Sequence, residues 1–311
     1  FHNFDHACHV TMSVSKLLNR VATPDISKED LDQAEKDRCH LASRLHDYTH
    51  GINSDPLILF GIVFSALIHD VDHRGISNVQ LGKEEPEMAE YYKNKSLAEQ
   101  NSVDVAWEVL MSKKYDDLRS FIFASPAELM RFRQVVVNIV LATDIFDKEL
   151  GVLRKSRWQK AFHDDSINDG SRTDINRKAT IVIEHLIQAS DVAHTMQHWH
   201  VYRKWNYKLF NEMLTAYKQG RMGADPSLFW YKGELGFFDN YIIPLAKKLK
   251  DCNIFGASSD ECLTFALQNR HEWEIRGEAI VASMIVRIAA ASIKKMDLDC
   301  DLSLVESSRS A

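Results

Sequence analysis

Residues 56–75 read PLILFGIVFSALIHDVDHRG. Thirteen residues of nearly unbroken apolar character open on Pro56, which suits the first turn of a helix, where its missing N–H costs nothing. The run stops at His69-Asp70. A stretch this uniformly apolar predicts a helix buried all round, not an amphipathic surface helix. The residues at its end are chemically out of place there: His69, Asp70, Asp72 and His73 close a buried helix. Burying a carboxylate and two imidazoles is costly unless they are paired or bound to a metal.

Helical periodicity continues on both sides. Residues 6–20 place Val10, Val14, Leu17 and Leu18 on one face, and Ala127–Phe146 starts at a Ser-Pro-Ala-Glu signal and carries Val135, Ile139 and Leu141. Further helical patterns cover 174–198, 199–219 (rich in aromatics), 234–250 and 259–295. Residues 163–173 and 220–226 are polar and turn-rich. With only 12 Gly and 6 Pro in 311 residues, a many-turned β architecture is excluded. The expectation is one compact all-α, multi-helix domain over 1–296. An acidic, Ser-rich tail without fixed structure is expected over 297–311. The opening at Phe1, already inside a motif, reads as a domain cut from a longer chain.

Composition narrows the function. A net charge of −6 argues against a nucleic-acid partner. A small phosphate ester stays open if metal ions supply positive charge locally. The five cysteines are odd in number and never paired as CxxC, which fits a reducing, intracellular compartment and excludes a cysteine zinc site. No apolar run reaches the roughly 18 residues of a membrane span.

The 14 histidines concentrate near carboxylates. In FHNFDHACH, His2 and His6 stand at i and i+4 and share a helix face. A third carboxylate, Asp191 in IQASDVAH, again ends an apolar helical stretch. His, then His-Asp, then a distant Asp is a metal-ligand set drawn from separate helices. Imidazole suits zinc or iron, and carboxylate suits magnesium or manganese. An aspartate bridging two cations ~3.5–4 Å apart would make a site able to activate water against phosphorus. A lone His-Asp pair is ordinarily a surface hydrogen bond. His46-Asp47 and His50 in LHDYTHG, set in polar, turn-like sequence, read as a solvated loop. His194, His198 and His200 lack the glutamate of HExxH; His198 and His200 read as structural or exposed.

FHNFDHA, HDVDHRGISN, ATD at 142–144 and GELGFFD at 233–239 occur in the order of the class I 3′,5′-cyclic-nucleotide phosphodiesterase catalytic domain, of the HD-type metal phosphohydrolase superfamily. The chain resembles that family from residue 1 to about residue 290. In style it is similar to protist proteins that fuse such a domain to a membrane-anchored cyclase. The resemblance implies an all-helical domain with a zinc ion and a second ion, Mg²⁺ or Mn²⁺, at the base of a deep pocket. It makes His6, His69, Asp70 and Asp191 the ligands of the first metal, with Asp70 bridging to the second. His73, Glu99, Thr143 and Asp144 then orient the waters of that second ion, and His2 is the general acid. Phe1, Leu209, Glu234 and Phe237 line the substrate site. The implied reaction cleaves the 3′ phosphoester of cGMP or cAMP to the 5′-monophosphate, using a hydroxide held between the ions.

Departures are informative. Phe1 replaces a tyrosine. Gln100, Asn101 and Ser102 stand where histidines are frequent, so the second metal is open. Residues 24–55 resemble an insertion. Glu234 replaces the purine-gripping glutamine. An ionised glutamate only accepts hydrogen bonds, which favours guanine, with two adjacent donors, over adenine. Protonation of Glu234, or base reading by His194, would remove that preference. Two other readings share the metal ligands: an HD-type phosphohydrolase acting on nucleotides or alarmones, and a nucleotide-binding module without catalysis. Attached regulatory or cyclase domains and the oligomeric state stay open.

Overall fold

The computed structural model describes residues 1–21, 46, 48–164, 171–255 and 259–309, with only the backbone described for 172 and 292–309. Among these residues there is no strand. The helices are α1 (Phe4–Asn19), α2 (Pro56–Ile68), α3 (Asn78–Glu84), α4 (Pro86–Tyr91), α5 (Leu97–Met111), α6 (Asp116–Ile122) and α7 (Pro126–Leu141). They continue with α8 (Lys148–Phe162), α9 (Arg172–Asp191), α10 (Trp199–Lys218), α11 (Trp230–Phe237), α12 (Ile243–Asp251) and α13 (Glu261–Arg309).

Local chemistry sets the boundaries that matter for the site. Asn3 caps α1, its side chain accepting from the His6 backbone N–H at 3.1 Å, which fixes the turn that carries His6. Asp55 caps α2 by accepting from Leu57 and Ile58, and Pro56 takes the first helical position. α2 ends at Ile68 as expected. It is not buried all round, however: Phe60 and Leu67 are 40% and 42% exposed, and Ile62 and Ala66 face the core. α7 ends at Leu141, short of the expected Phe146, because Asp144 turns its carboxylate to the N–H groups of Phe146 and Asp147. α9 stops at Asp191, and a 3₁₀ turn (Ala193–Met196) separates it from α10. The 234–250 stretch is broken by a π-helical turn, Phe238–Ile242, ahead of Pro244, which cannot donate to the ladder. Helical backbone continues to Arg309, across the stretch expected to be a structureless tail.

α1 packs between α2 and α9, α2 against α7, and α13 against α10, α11 and α12. The main core joins Val10 and Val14 of α1, Leu186 and Ile187 of α9, Tyr202 and Phe210 of α10 and Trp273 of α13, all fully buried. Burying each such aliphatic side chain contributes roughly 1.5–3 kcal/mol. The first turn of α1 and the C-terminal ends of α2 and α9 bring two histidines and two aspartates together. No helix among the described residues is long and apolar enough to cross a membrane.

Candidate metal centre and active site

Four of the expected residues converge. Ligand atoms of His6, His69, Asp70 and Asp191 all lie within 4.8 Å of one another. His6 Nε2 stands 3.0 Å from Asp191 Oδ1 and 3.4 Å from Asp70 Oδ2; His69 Nε2 stands 3.0 Å from Asp70 Oδ2 and 3.4 Å from Asp191 Oδ1. Both imidazoles are fully buried, while the two aspartates reach the cleft with 16% and 22% of their side-chain surface.

The donor set fits a divalent cation. His69 Nδ1 donates to the Ala66 carbonyl at 2.9 Å, so in the neutral ring Nε2 presents a lone pair. That lone pair faces carboxylate oxygens, and His69 Nε2 and Asp70 Oδ2 are buried without a hydrogen-bond partner. Asp191 is the last residue of α9 and Asp70 lies two residues beyond α2, where the helix carbonyls already concentrate negative potential. Burial works against the charged form of His6 and of His69, yet the facing carboxylates of Asp191 and Asp70 outweigh it and hold both above the ordinary histidine value. Burial likewise opposes ionisation of Asp70 and Asp191, and the two imidazoles hold both below the usual carboxylate range. Two imidazoles and two carboxylates around one centre form a set that zinc accepts.

In metal-stripped protein, protons take the cation's place, which makes stability depend on pH. A histidine whose value is raised by folding contributes stability below its unfolded value of about 6.5 and loses it as pH rises through the folded value. The melting temperature of chelated protein should therefore fall from pH 6 to pH 8.5, and metal repletion should flatten that slope. A chelated protein with a level profile over this range would contradict the assignment.

A second group adjoins the first. His2, Asp70 and His73 also bring ligand atoms within 4.8 Å of one another, so Asp70 belongs to both groups. The His2 and His73 rings lie 3.8 Å apart between centroids. Burial and the neighbouring His2 push His73 down to about 4, leaving it neutral, and its Nδ1 accepts from the Gly75 N–H. Behind this group, Asn78 Nδ2 donates to Glu99 at 2.9 Å, and Ser96 donates to Asp144 at 2.7 Å. Burial, with Asp144 nearby, pushes Glu99 up to about 7. Thr143 turns its hydroxyl to the Val140 carbonyl. Asn101 and Ser102 tie α5 to the HDVDHRG turn through the Asp72 carboxylate and the Val71 carbonyl.

Three residues important to the arrangement do not stand out in the sequence. Glu212 on α10 accepts from His2 Nδ1 at 2.6 Å, from the His2 N–H at 3.0 Å and from the Phe1 nitrogen at 2.7 Å. Burial acts to raise Glu212, but its bond to His2 opposes this and favours the ionised carboxylate. The other two, Tyr202 and Asn206, hold Glu234. The helical spacing of 202, 206, 209 and 212 is the signal that could have found them: three polar residues and Leu209 on one stripe of an otherwise aromatic helix.

Gly75 is bound to this arrangement sterically. Its φ is +69°, and a Cβ there would lie 3.0 Å from Glu212 Cδ. Gly75→Ala should destabilise the fold by about 1–2 kcal/mol and weaken the His2–Glu212 contact. Differential scanning calorimetry checks the first effect, and a crystal structure of the variant checks the second.

The substrate-facing expectations fall into two places. Phe1 packs on the histidine cluster, its ring 4.4 Å from His6 and 4.9 Å from His2. Leu209 and Phe237 are half-buried at the margin of the main core, Phe237 stacked on Tyr241 at 5.3 Å. Glu234 is buried, and burial pushes it up to about 7 against hydrogen bonds from Tyr202 and Asn206. His194 is buried with its Nδ1 unpartnered, and burial drives it down to about 3. His198 and His200 are exposed, as expected. The other His-Asp pair lies partly outside the described residues, at Asp47. His50 is half-buried, so the expectation of a solvated loop fails there: burial pushes its value to about 4.

An all-helical bundle whose helix ends gather two histidines and two aspartates, one aspartate shared with a second histidine pair, forms a candidate metal centre. Known proteins narrow this further. The family described as 3′5′-cyclic nucleotide phosphodiesterase matches residues 1–260. Over 259 residues the chain is 24% identical to the probable 3′,5′-cyclic-AMP phosphodiesterase pde-4 of Caenorhabditis elegans, covering 81% of this chain and 34% of that protein. It is 27% identical over 255 residues to the 3′,5′-cyclic-AMP phosphodiesterase, isoform F, of Drosophila melanogaster, covering 79% and 34%. A dual specificity calcium/calmodulin-dependent 3′,5′-cyclic nucleotide phosphodiesterase 1B of Rattus norvegicus is 23% identical over 204 residues, covering 62% and 35%. The chain belongs to the 3′,5′-cyclic nucleotide phosphodiesterase family, and it spans about a third of the length of these curated relatives.

Proposed function

We propose that this chain hydrolyses purine 3′,5′-cyclic nucleotides at the O3′–phosphorus bond, giving nucleoside 5′-monophosphates. The observation that carries the proposal is the convergence of His6, His69, Asp70 and Asp191, with Asp70 shared between that group and His2–His73. His6, His69, Asp70 and Asp191 would hold zinc, and Asp70 would also touch a harder ion, Mg²⁺ or Mn²⁺, for which carboxylate and water suffice. When bound, such ions lower the pKa of water and offset charge on phosphoryl oxygens.

The chain's own residues supply the rest. Glu212 accepts from His2 Nδ1 and stabilises the imidazolium, which leaves the Nε2 proton for the departing O3′. His73, neutral and packed at a tilt against His2, would orient water beside Asp70. Glu99, with Asn78 and Asp144, anchors the polar network behind it. Glu234 would meet the purine edge, with Phe237 and Leu209 as apolar walls.

A substrate panel tests this reading against its rivals. The metal-loaded protein should hydrolyse cAMP or cGMP and leave 2′,3′-cyclic nucleotides, nucleoside triphosphates and guanosine tetraphosphate untouched. Turnover of the latter compounds alone would assign it to the broader phosphohydrolase group. Binding of cyclic nucleotide without turnover in any metal would make it a regulatory module.

A further inference from the structure

Glu234 is clamped by one oxygen only. Its Oε2 accepts from the Tyr202 hydroxyl at 2.7 Å and from Asn206 Nδ2 at 2.7 Å. Trp230 sets the orientation of Asn206: an indole N–H can only donate, and it lies 3.2 Å from Asn206 Oδ1, so the Asn206 amino group must face Glu234. Tyr202, Asn206 and Trp230 are all at most 4% exposed, so the clamp is rigid. Glu234 Oε1 has no protein partner among the described residues, and it is not sealed from solvent. With both lone pairs of Oε2 taken, a proton added to Glu234 must sit on Oε1, pointing outward. A glutamine in the same clamp would place its carbonyl at Oε2 and its amino group outward.

We propose that Glu234 selects the base through its protonation state: ionised, it offers the purine an acceptor and favours guanine; neutral, it offers a donor and loses that preference. This rests on the reading of Glu234 as the base-facing residue. Guanine presents N1–H and its 2-amino group side by side, and both can reach one carboxylate oxygen. Adenine sets its 6-amino group beside N1 or N7, whose lone pairs would face the carboxylate. A donor at Oε1 reverses the sign, pairing with adenine N1 or N7 or with guanine O6.

The switch falls in the neutral range, because burial raises Glu234 to about 7 while the two bonds on Oε2 oppose that rise. Tyr202 is the titratable group that meets it from α10, and burial, with Glu234 beside it, keeps that phenol neutral. The side chains closing around Tyr202 from α13 and the π turn, Trp273 and Phe238, are uncharged. At the surface Arg270 pairs with both Asp239 and Glu274.

The test is the ratio of kcat/KM for cGMP to that for cAMP, measured in metal-loaded enzyme from pH 6 to pH 8.5. Effects on the shared chemical step act on both substrates and cancel in the ratio. In wild type the ratio should rise about tenfold across this range. Glu234→Gln should hold it level near the low-pH value. Tyr202→Phe, which removes a bond to the carboxylate, should move the midpoint to higher pH. The affinities of metal-free protein for 5′-GMP and 5′-AMP should show the same profile. A level wild-type ratio, with Glu234→Gln shifting it equally at all pH values, would overturn the switch and leave Glu234 as the base reader. Identical ratios in wild type and Glu234→Gln at every pH would show that Glu234 does not face the base, and both ideas would fall.

Discussion

Replacing Asp70 by alanine should lower kcat/KM by on the order of 10³-fold or more, and should do more damage than Asp191→Ala. The two aspartates differ in what they join. Among the described residues Asp191 belongs to the His6–His69–Asp70 group alone, whereas Asp70 belongs to that group and to the one with His2 and His73. Loss of Asp191 leaves one carboxylate and two imidazoles, which still hold a cation weakly. Loss of Asp70 weakens one position and removes the protein's contact to the other. Metal content by mass spectrometry, alongside activity, separates the variants: Asp70→Ala should lose both ions, and Asp191→Ala chiefly the first. If Asp191→Ala proved the more damaging of the two, or if Asp70→Ala kept both metals, Asp70 would not bridge.

His2→Gln should cost about 10²–10⁴-fold in kcat with metal content unchanged. The geometry behind this is the 2.6 Å contact between His2 Nδ1 and Glu212, which ties the ring on one side and leaves the other nitrogen towards the Asp70 cluster. A phosphodiester with a p-nitrophenolate leaving group needs no proton, so its hydrolysis should survive much of the loss. Glu212→Gln should be milder, about 10–100-fold, because the neutral amide still reaches the His2 ring but no longer holds it with a charge. Equal damage to both kinds of leaving group in His2→Gln would make His2 a ligand or a packing residue.

The candidate metal cluster was legible because two of its residues sit in one short stretch where an apolar helix ends in His-Asp, a cost that burial alone leaves unexplained. α1 and α10 were legible because runs of fifteen or more residues with one face apolar leave little ambiguity, and α2 because its apolar run is nearly unbroken. The short helices at 78–84, 86–91 and 116–122 were not, since six or seven residues hold too few turns to show a period. Apolar content overstated the burial of α2, because composition does not say which face meets a neighbour, and Phe60 and Leu67 meet none that covers them. Glu212, Tyr202 and Asn206 stayed hidden for a different reason. Polar residues on an aromatic helix read as its solvent face, and only contacts from His2 and Glu234, 28 or more residues away, turn them inward. Base choice belongs to the same class: Glu234 was visible as a substitution, but which of its oxygens is free depends on Trp230 orienting Asn206.

Metal-dependent cleavage of a cyclic nucleotide at O3′ can be measured in one experiment. The protein is stripped with chelator, Zn²⁺ and Mg²⁺ are added back separately and together, and the products of cAMP and cGMP are separated by chromatography. The expected result is no turnover in the stripped protein and restored formation of the 5′-monophosphate, with no 3′-monophosphate, on repletion with both ions. Undiminished turnover after exhaustive chelation, or a 3′-monophosphate product, would show that the chain does not work this way.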